Sequence, residues 1–588
     1  MQGASTTDLL SDLAAADVCT TRGACWPREV SQDLHHDPRA AAAVKIPLRQ
    51  TTQIYLRVPP SSRLLVEMVT AGVRATLTAQ SDGEEEQVLF RAPEPPAGTS
   101  PRVEVDLGRW AERLVRLAFR AEPVDTGPGE HWCRVRRFDL ESAAAPPPAV
   151  VGPTRVPGRK PNVLLYLIDT VRADHVGCYG YGRPTTPRID ELSRSSLLFM
   201  DAVAQSSWTL SATASVLTGL TPRHHGALGE GLAIRPDVPT LATLLRAGGY
   251  HSAAFVTNFL GSADFGHARG FDTFHLYEER PGRRRTVYLP SQVLFRRVRR
   301  WVDRRAREPF FLYVHATDPH WPYRPPRRYL RPFRVDDPEQ PAVRRAVDAA
   351  WPFFFGNARF GERQSALPED ELAVLRDLYD GEIRLADDFV GRLLDVLSEQ
   401  GLLDRTLVIV TSDHGEEFQE HGGLAHGQTL YGEVLHVPLV VRLPGGAGGG
   451  AQIDVTVQHV DILPTVLDVA EIPAPQPLDG MSLLVTRAAP SDGEAYSFLS
   501  LMGAASEAVT GGDWKIVRNL SGREGTWPFE AYDRARDHGE HRDLSRKATV
   551  LVGYGRQRLD ALGTESPPGP AVDPQRLERL RALGYVQD

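Results

Sequence analysis

The stretch that decides the fold runs Leu407-Val408-Ile409-Val410-Thr411-Ser412-Asp413-His414-Gly415-Glu416. A short apolar run rich in β-branched residues is typical of a strand that is buried on both faces. This run delivers a carboxylate, Asp413, and an imidazole, His414, side by side at its polar end. We therefore expect a metal-binding corner at the point where the strand stops.

Two other runs have the same form. The run from Val163 to Ile168 is apolar and ends in Asp169. The run from Phe311 to Val314 leads into three polar side chains, which are His315, Asp318 and His320. In open α/β sheets, ligands gather beyond the carboxyl ends of the strands. The three runs together predict acids and imidazoles at one edge of a sheet.

Length and composition limit the kinds of protein that this chain can be. It has 588 residues and a mass of 64.8 kDa, with 41% hydrophobic and 24% charged residues. These values are ordinary for a globular protein with at least two folded units. The net charge is -8, and no block of Lys and Arg has the form of a nucleic-acid footprint. We therefore expect no nucleic acid among the partners.

No apolar stretch reaches the roughly 20 residues that span a bilayer, so we expect no transmembrane segment. The first residues, Met1 to Asp8, lack the basic and apolar pattern of a signal peptide. These observations leave the cellular compartment open.

Residues 1–145 are predicted to form an N-terminal accessory domain, a small β-sandwich. Period-two alternation in Gln53 to Val58 and in Arg102 to Leu107 is typical of such a domain. The domain could bind a carbohydrate or a partner, or it could serve only as a packing accessory. Residues 146–160 are rich in Pro and Gly and are predicted to be a linker.

Residues 161–445 are predicted to form an α/β core, because strand-like runs alternate with helical patterns. We expect a mostly parallel sheet flanked by helices. Apolar residues between Glu371 and Gln400 predict one long amphipathic helix or two short ones. Residues 446–588 are assigned to the C-terminal part of the core and a smaller subdomain, with a strand at Trp514 to Val517.

Asp169, Asp413 and His414 form a candidate metal-ligand set. Oxygen donors suit calcium, magnesium or manganese, and an added imidazole extends the choice to zinc. Each residue alone could instead do no more than cap a strand or a loop. Their shared position at the ends of apolar runs favours a metal site.

Thr209 is the candidate nucleophile. Small and apolar residues alternate at helical spacing from Leu210 to Gly219, so a helix should begin at Thr209. A hydroxyl at that place is often an N-cap. It could also attack phosphorus or sulfur, because a helix N-terminus favours an anion and a nearby metal lowers the hydroxyl pKa.

From Lys160 to its end, the chain resembles the sulfatase family within the alkaline phosphatase superfamily. The resemblance covers an ordered series of separate motifs, and such a series is more specific than any one motif. The matching segments are residues 161–174, 209–219, 317–323, 413–438, 459–465 and 531–544. The resemblance implies an alkaline-phosphatase-like fold for residues 161–445, with catalysis in that core.

The resemblance also implies roles for individual residues. It implies one divalent ion, calcium, manganese, magnesium or zinc, bound by the set Asp169, Thr209, Asp413 and His414. It implies that the catalytic residues are Thr209, His320 and His426, with both histidines contacting the transferred group or protonating the leaving oxygen. In relatives with two metals, a second ion would be held by Asp318, His320 and His426. Asp318 could equally be a turn residue before Pro319.

The chain departs from the family pattern at the nucleophile. Sulfatases place Cys or Ser where Thr209 stands, and that residue is oxidised to formylglycine, an aldehyde that Thr cannot yield. The Pro and Arg that normally follow are here Ser211 and Thr213, and Thr170 replaces a second metal-binding Asp. A threonine nucleophile is instead what phosphodiesterase and phosphoethanolamine-transferase relatives use.

The leading hypothesis is a metal-dependent hydrolase or transferase that acts on a phosphate or sulfate ester through Thr209. One alternative is a sulfuric ester hydrolase without formylglycine, and another is a catalytically silent binding protein with the sulfatase fold. The expected partner is an anionic ester, linked to a glycan or a lipid, and the family resemblance favours an extracytoplasmic site. Residues 274–292 and 331–369 are rich in Arg and aromatics and could bind an anionic polymer or cover the site. The oligomeric state is left open.

Overall fold

The computed structural model describes residues 4–9, 17–19, 25–26, 44–92, 102–124, 131–143, 160–229, 231–277, 290–305, 309–335, 337–355, 366–485, 493–501, 504–522, 527–562, 567–575 and 578. The chain divides into two compact units. The first comprises Met1–Pro148, Phe529–Tyr532 and Asp543–Gly563, and the second comprises the rest. The predicted linker lies outside the described residues except for Lys160. None of the described helices is both long and apolar enough to cross a membrane.

The first unit contains two antiparallel sheets, ordered β1-β11-β6-β9, with β4 also on β11, and β3-β2-β5-β10-β7-β8. Their strands are β1 (Ala4–Asp8), β2 (Asp17–Cys19), β3 (Cys25–Trp26), β4 (Val44–Ile46), β5 (Thr51–Arg57), β6 (Arg63–Ala71), β7 (Val73–Gln80), β8 (Gln87–Arg91), β9 (Arg102–Asp106), β10 (Leu114–Pro123) and β11 (Trp132–Ala143). Alternate residues of β6 and β7 are buried, so that each strand presents one apolar face to a core around Trp110, Phe119 and Phe138.

The second unit is built on an eight-stranded sheet, ordered β15-β14-β16-β12-β17-β20-β13-β21. Every strand runs parallel to its neighbours except β20, which is antiparallel to both β17 and β13. The strands of this unit up to residue 458 are β12 (Asn162–Ile168), β13 (Leu197–Val203), β14 (His251–Val256), β15 (Thr273–Leu276), β16 (Phe310–Ala316), β17 (Thr406–Ser412), the small β18 (Glu417–Phe418) and β19 (Leu424–Ala425) pair, β20 (His436–Arg442) and β21 (Gln452–Gln458).

Helices flank this sheet. They are α1 (Pro187–Ser193), α2 (Thr209–Thr218), α3 (Pro222–His225), α4 (Leu241–Ala247), α5 (Pro290–Arg305), α6 (Arg327–Leu330), α7 (Pro341–Phe355), α8 (Glu369–Glu399), α9 (Gly432–Leu435) and α10 (Ile462–Val469). Single 3₁₀ turns lie at Gly108–Trp110, Ala173–His175, Gly177–Tyr179, Phe259–Gly261, Ala263–Phe265, Leu403–Arg405, Pro444–Gly446 and His459–Asp461. The mostly parallel α/β sheet predicted from the sequence is confirmed.

The sequences of the central strands are continuously apolar because these strands are buried on both faces. All seven residues of β12, of β16 and of β17 are buried. The helix predicted near residues 371–400 is the single 31-residue helix α8, and it packs against α1, α5, α6 and α7. Asp387 on α8 accepts hydrogen bonds from the backbone N–H groups of Arg188 and Ile189, which ties α1 to α8.

The C-terminal part of the second unit contains an antiparallel meander of β22 (Glu494–Leu501), β23 (Ala504–Gly511) and β24 (Trp514–Asn519). The strand predicted at Trp514 to Val517 is therefore confirmed. Lys515 on β24 forms an ion pair with Glu540 at 2.8 Å, and both side chains are only 2% exposed. Glu540 also accepts a hydrogen bond from Gly432 N at 3.1 Å, so the pair supports the start of α9.

Strand β25 (Phe529–Asp533) and helix α11 (Thr549–Ala561) lie mostly in the first unit. Helix α11 packs on β5 and β10. The Asp82 carboxylate accepts hydrogen bonds from the N–H groups of Val550 (2.8 Å) and Leu551 (2.9 Å) at the start of the helix. A segment from near the chain's end thus completes the unit that contains the N-terminal strands.

Candidate functional site

Strand register aligns the two aspartates of the candidate site. Ile168, the last residue of β12, lies opposite Ser412 on β17 and Ala316 on β16. Asp169 and Asp413 are therefore the first residues beyond two neighbouring strands, at their carboxyl ends. This arrangement is the one that the apolar runs predict for an open α/β sheet.

Asp169, His315 and Asp413 form a buried cluster whose ligand atoms all lie within 4.8 Å of one another. All three side chains are fully buried. His315 Nε2 lies 3.5 Å from the Oδ2 atom of Asp169. Asp169 Oδ1, Asp413 Oδ2 and both ring nitrogens of His315 have no hydrogen-bond partner among the described residues. Buried polar atoms nearly always have a hydrogen-bond partner. The unpartnered oxygen and nitrogen atoms of this cluster are therefore suited to bind a cation.

The electrostatics of the two carboxylates also point to a cation. Burial and the negative charge of Asp169 raise the pKa of Asp413. Burial also acts to raise the pKa of Asp169, but contacts with His315 and His320 outweigh it, and the net pKa lies below the usual range. Asp169 is thus held ionised in a buried place, where a neighbouring positive charge is needed to offset its desolvation. Oxygen and imidazole donors together suit calcium, magnesium, manganese or zinc.

Thr209 is the first residue of α2, and its hydroxyl does not cap the helix. Trp208 occupies the N-cap position, and no side chain makes a capping hydrogen bond there. The Oγ1 atom of Thr209 instead lies 3.1 Å from Nε2 of His414. The hydroxyl therefore points toward His414 and does not serve as the helix N-cap, the role that a threonine at a helix start often has.

The tautomer of His414 follows from its backbone contact. Its Nδ1 lies 3.0 Å from the carbonyl oxygen of Gly415, which can only accept a hydrogen bond, so Nδ1 carries the proton. Burial lowers the pKa of His414, which favours the neutral ring. The Nε2 lone pair therefore faces Thr209 and can accept its proton or bind a cation.

His426 and His320 lie next to His414. The ring centroids of His414 and His426 are 4.3 Å apart, and those of His426 and His320 are 5.1 Å apart. Glu416 fixes His426 through its Nδ1 at 2.8 Å, and the same carboxyl accepts a hydrogen bond from the Tyr323 hydroxyl at 3.0 Å. Burial raises the pKa of Glu416 to about 7, and burial beside His320 lowers the pKa of His426 to about 3.

His320 is fixed in the same way. Its Nδ1 lies 2.6 Å from the carbonyl oxygen of Trp321, and this contact requires a proton on Nδ1. Three neighbouring imidazoles are therefore each oriented through Nδ1. Such a group suits proton exchange and metal binding alike.

Asp318 has a different partner. Its carboxylate accepts hydrogen bonds from the Ser291 N–H at 2.9 Å and from the Ser291 hydroxyl. Burial raises the pKa of Asp318 to about 6. Within the described part of the chain, Asp318, His320 and His426 do not form a triplet of close ligand atoms, whereas Asp169, His315 and Asp413 do.

The position where sulfatases carry an arginine is occupied by Thr213. Its hydroxyl donates to the Thr209 carbonyl at 2.6 Å and lies 2.8 Å from His267 Nε2. Burial lowers the pKa of His267 to about 3, so this ring is neutral. The polar group behind the nucleophile therefore contributes hydrogen bonds and no positive charge.

Three functional side chains carry no role in the sequence-based prediction, namely Asn258, Glu416 and Tyr323. His315 is placed there at the sheet edge as an imidazole but is not assigned as a metal ligand. Asn258 follows β14 and donates to Asp169 Oδ2 at 2.6 Å, which orients the carboxylate. Glu416 is part of the opening stretch, and a carboxylate two residues beyond His414 is a signal that could have been used. Asn258 lies after an apolar strand, and a search for every polar residue in such a place would have found it.

Comparisons with known proteins identify a family for this part of the chain. The family model described as Sulfatase matches residues 161–472, which is more than half of the chain, and the model of the C-terminal part of N-sulphoglucosamine sulphohydrolase matches residues 420–550. The uncharacterized sulfatase YidJ of Escherichia coli (strain K12) is 25% identical over 380 residues, covering 56% of this chain and 71% of its own length. The multifunctional alkaline phosphatase superfamily protein PehA of Trinickia caryophylli is 27% identical over 406 residues, with coverages of 56% and 78%.

Solved structures share the fold. The phosphonate monoester hydrolase of Agrobacterium radiobacter superposes with a TM-score of 0.56 at 22% identity, covering 72% of this chain and 96% of its own. A putative sulfatase from Bacteroides thetaiotaomicron gives a TM-score of 0.55 at 19% identity, with coverages of 71% and 96%. Members of this family are generally hydrolases with a divalent metal. The strand-end acids, the helix that starts at Thr209 and the family match over residues 161–472 together show that this chain belongs to the sulfatase family of hydrolases.

Proposed function

We propose that this chain is a metal-dependent ester hydrolase in which Thr209 is the nucleophile, with a phosphorus ester as the preferred substrate. The observation that carries the proposal is the buried Thr209 hydroxyl, which lies 3.1 Å from His414 Nε2 and is not used as a helix cap. A hydroxyl beside an acceptor imidazole is the usual arrangement of an activated oxygen nucleophile.

The donor set fits a divalent cation, because three unpartnered buried ligand atoms converge there. Asp169, His315 and Asp413 would hold the ion, and Thr209 would complete the set, so that His414 Nε2 keeps its lone pair for the Thr209 proton. The ion would supply positive charge that stabilises the charge developing on the ester oxygens. Asn258 holds the Asp169 carboxylate in place from the other side.

The chain's own groups provide for two chemical steps. Thr209 Oγ1 attacks phosphorus as its proton passes to His414 Nε2, and the ester oxygen leaves. Water then attacks phosphorus, the bond from phosphorus to Thr209 Oγ1 breaks, and Oγ1 takes back its proton from His414. His426 Nε2 is suited to take the proton of the water because Glu416 holds the opposite nitrogen. His320 lies beside His426 and is suited to exchange a proton with the leaving oxygen.

Phosphorus is preferred for a chemical reason. A threonine cannot become an aldehyde hydrate, and Thr213 with neutral His267 replaces the cation that sulfatases place behind their nucleophile. Among relatives, the PehA protein is described as a multifunctional alkaline phosphatase superfamily protein, and two structural neighbours are phosphonate monoester hydrolases. These names support a search among phosphate and phosphonate esters as well as sulfate esters.

Side-by-side assays of an aryl phosphate, an aryl phosphonate and an aryl sulfate test the proposal. Thr209→Ala should abolish turnover of all of them, and Thr209→Ser should retain part of it. Thr218→Ala, at the other end of the same helix and equally buried, is the matched control and should remain active. Mass spectrometry of the quenched wild type should find phosphate on Thr209. Full turnover by Thr209→Ala would refute the mechanism.

The assays also separate the alternatives. A clear preference for the sulfate ester, still dependent on Thr209, would favour a sulfuric ester hydrolase without formylglycine. Metal binding without turnover of any ester and without covalent phosphate would favour a silent binding protein. The ordered contacts of Glu416, Tyr323 and His426 argue against silence, because they fix an imidazole that a pure binding role would not need.

A further inference from the structure

We propose that the exposed arginines of α5 and α6 form a surface that holds a linear polymer bearing repeated phosphate groups, one of which occupies the candidate site. The proposal rests on the proposed function, since the polymer would be the substrate. We call this surface the arginine face. It comprises Arg296, Arg297, Arg299, Arg300, Arg304, Arg327, Arg328, Arg331 and Arg334, all of which are exposed.

The charge of this surface differs from that of the whole protein. Helix α5 carries six arginines and one acid, Asp303, whereas the chain has a net charge of -8. Residues 324–334 add five arginines and no acid. Arg296, Arg300 and Arg304 are spaced four residues apart, so like charges stack on one side of α5, which weakens a helix. The acid of this helix, Asp303, accepts a hydrogen bond from Gln400 at 2.6 Å.

The two helices pack against the same helix, α8. Phe295 on α5 packs against a cluster formed by Tyr329 on α6 with Leu385 and Phe389 on α8. The rings of Phe295 and Phe389 are 5.9 Å apart. Arg296 follows Phe295 and Arg328 precedes Tyr329 in sequence, so both helices carry exposed arginines next to residues that pack on one stretch of α8.

Two short connections link the helices of the arginine face to the segment that carries His320. Ser291, in the first turn of α5, donates its N–H and its hydroxyl to Asp318 in the segment that carries His320. Helix α6 begins at Arg327, seven residues after His320. A polymer with one group beside His320 could therefore continue onto these helices. Guanidinium groups match phosphate oxygens well because they donate two parallel hydrogen bonds.

Two features favour a soluble polymer over other polyanions. The apolar side of α5, formed by Leu294, Val298 and Val302, is buried in the core, so the helix has no free apolar face to insert into a bilayer. The aromatic residues of both helices are buried or half-buried, so none offers the exposed platform on which nucleic-acid bases stack.

The test compares two triple variants of the full chain. Arg296→Ala/Arg300→Ala/Arg304→Ala removes one row of the arginine face. Arg194→Ala/Arg536→Ala/Arg542→Ala removes the same charge from exposed positions elsewhere in the second unit. Binding of long-chain inorganic polyphosphate should weaken about tenfold or more in the first variant and depend less on salt, because fewer counterions are released. The control variant should bind as the wild type does.

Further measurements distinguish polyphosphate from lipid and oligonucleotide ligands. They also test the arginine face separately from the proposed function. Both triple variants should turn over a small aryl phosphate at the wild-type kcat, and Thr209→Ala should bind polyphosphate normally. Equal binding by the two triple variants would overturn the proposal. So would binding to phosphatidylglycerol vesicles, or to a single-stranded oligonucleotide, without binding to polyphosphate. Polyphosphate binding that depends on these arginines in a protein inert toward every ester would support the arginine face and count against the proposed function alone.

Discussion

Replacing His315 should uncouple metal binding from folding. In the metal-free protein, the carboxylates of Asp169 and Asp413 lie within 4.8 Å, so two full charges there would repel each other by about 3.5 kcal/mol at an effective dielectric constant of about 20. A cation removes this cost. His315→Leu preserves most of the buried volume, removes one donor and leaves the two carboxylates in place.

The expected loss of affinity is large compared with the loss of stability. Removing even an outer partner of a metal ligand lowers affinity about 10–100-fold, so losing a direct ligand should cost at least about 100-fold. The contact of His315 with Asp169 is long, 3.5 Å, and its loss should cost the metal-free protein at most about 1 kcal/mol. At an ion concentration of about 1,000 wild-type Kd, the wild type gains about 4.1 kcal/mol of stability and the variant about 1.4 kcal/mol.

Calorimetric titration of the EDTA-treated protein with Mn²⁺, Ca²⁺ and Zn²⁺ measures the affinity, and denaturant unfolding with and without the ion measures the stability. His225→Leu is the control, because His225 is equally buried but contacts Ser215 and the Ser211 carbonyl instead of the cluster. His225→Leu should lower the free energy of unfolding by the same amount with the ion and without it. Unchanged ion affinity in His315→Leu would refute the assignment of His315 to the metal.

Three further predictions concern the framework. Burial acts to lower the pKa of His421, but its hydrogen bond to Glu433 outweighs this and raises the pKa to about 9. Its contribution of about 1–2 kcal/mol should therefore be complete below about pH 6.5 and lost as the pH rises through about 9, and His421→Gln should flatten that part of a stability profile measured by urea unfolding. Lys515→Met should cost about 3–5 kcal/mol in the same assay, because its carboxylate partner stays buried and uncompensated, and a loss below about 1 kcal/mol would contradict this. Gly553→Ala should destabilise by about 1–3 kcal/mol although alanine favours helices, because the added Cβ would lie 2.2 Å from the ring of Tyr55, and a gain in Tm would disprove the close packing.

The sequence was a good guide where an apolar strand ends in a polar residue. Asp169, Asp413 and His414 follow strands that are buried along their whole length, so the change from apolar to polar marks the sheet edge. Thr209 could be found because small and apolar residues alternate with helical period after it. At these residues the change from apolar to polar in the sequence coincides with the edge of the sheet, since parallel strands bring their carboxyl ends together.

Other residues could not be found because their role depends on a neighbour far away in sequence. The sequence places His315 near the sheet edge but does not assign it as a ligand, because it lies within β16, whose residues are all buried. The partner of Asp318 is Ser291, in the first turn of a helix whose start the sequence does not mark. Nor does any local signal in Thr549–Ala561 indicate that this helix packs on strands of the first unit rather than on the second.

The return of α11 to the first unit has a consequence for synthesis on the ribosome. Asp82 and the backbone N–H of Val550 that it binds are 468 residues apart, and at typical elongation rates about 25–90 s separate their synthesis. During that interval β5 and β10 are already outside the ribosome without the helix that covers them. We expect this sandwich to be completed after the catalytic core has emerged, so that chaperones have access to the uncovered strands, and a stalled or truncated chain that lacks α11 should be marked for degradation at this surface first.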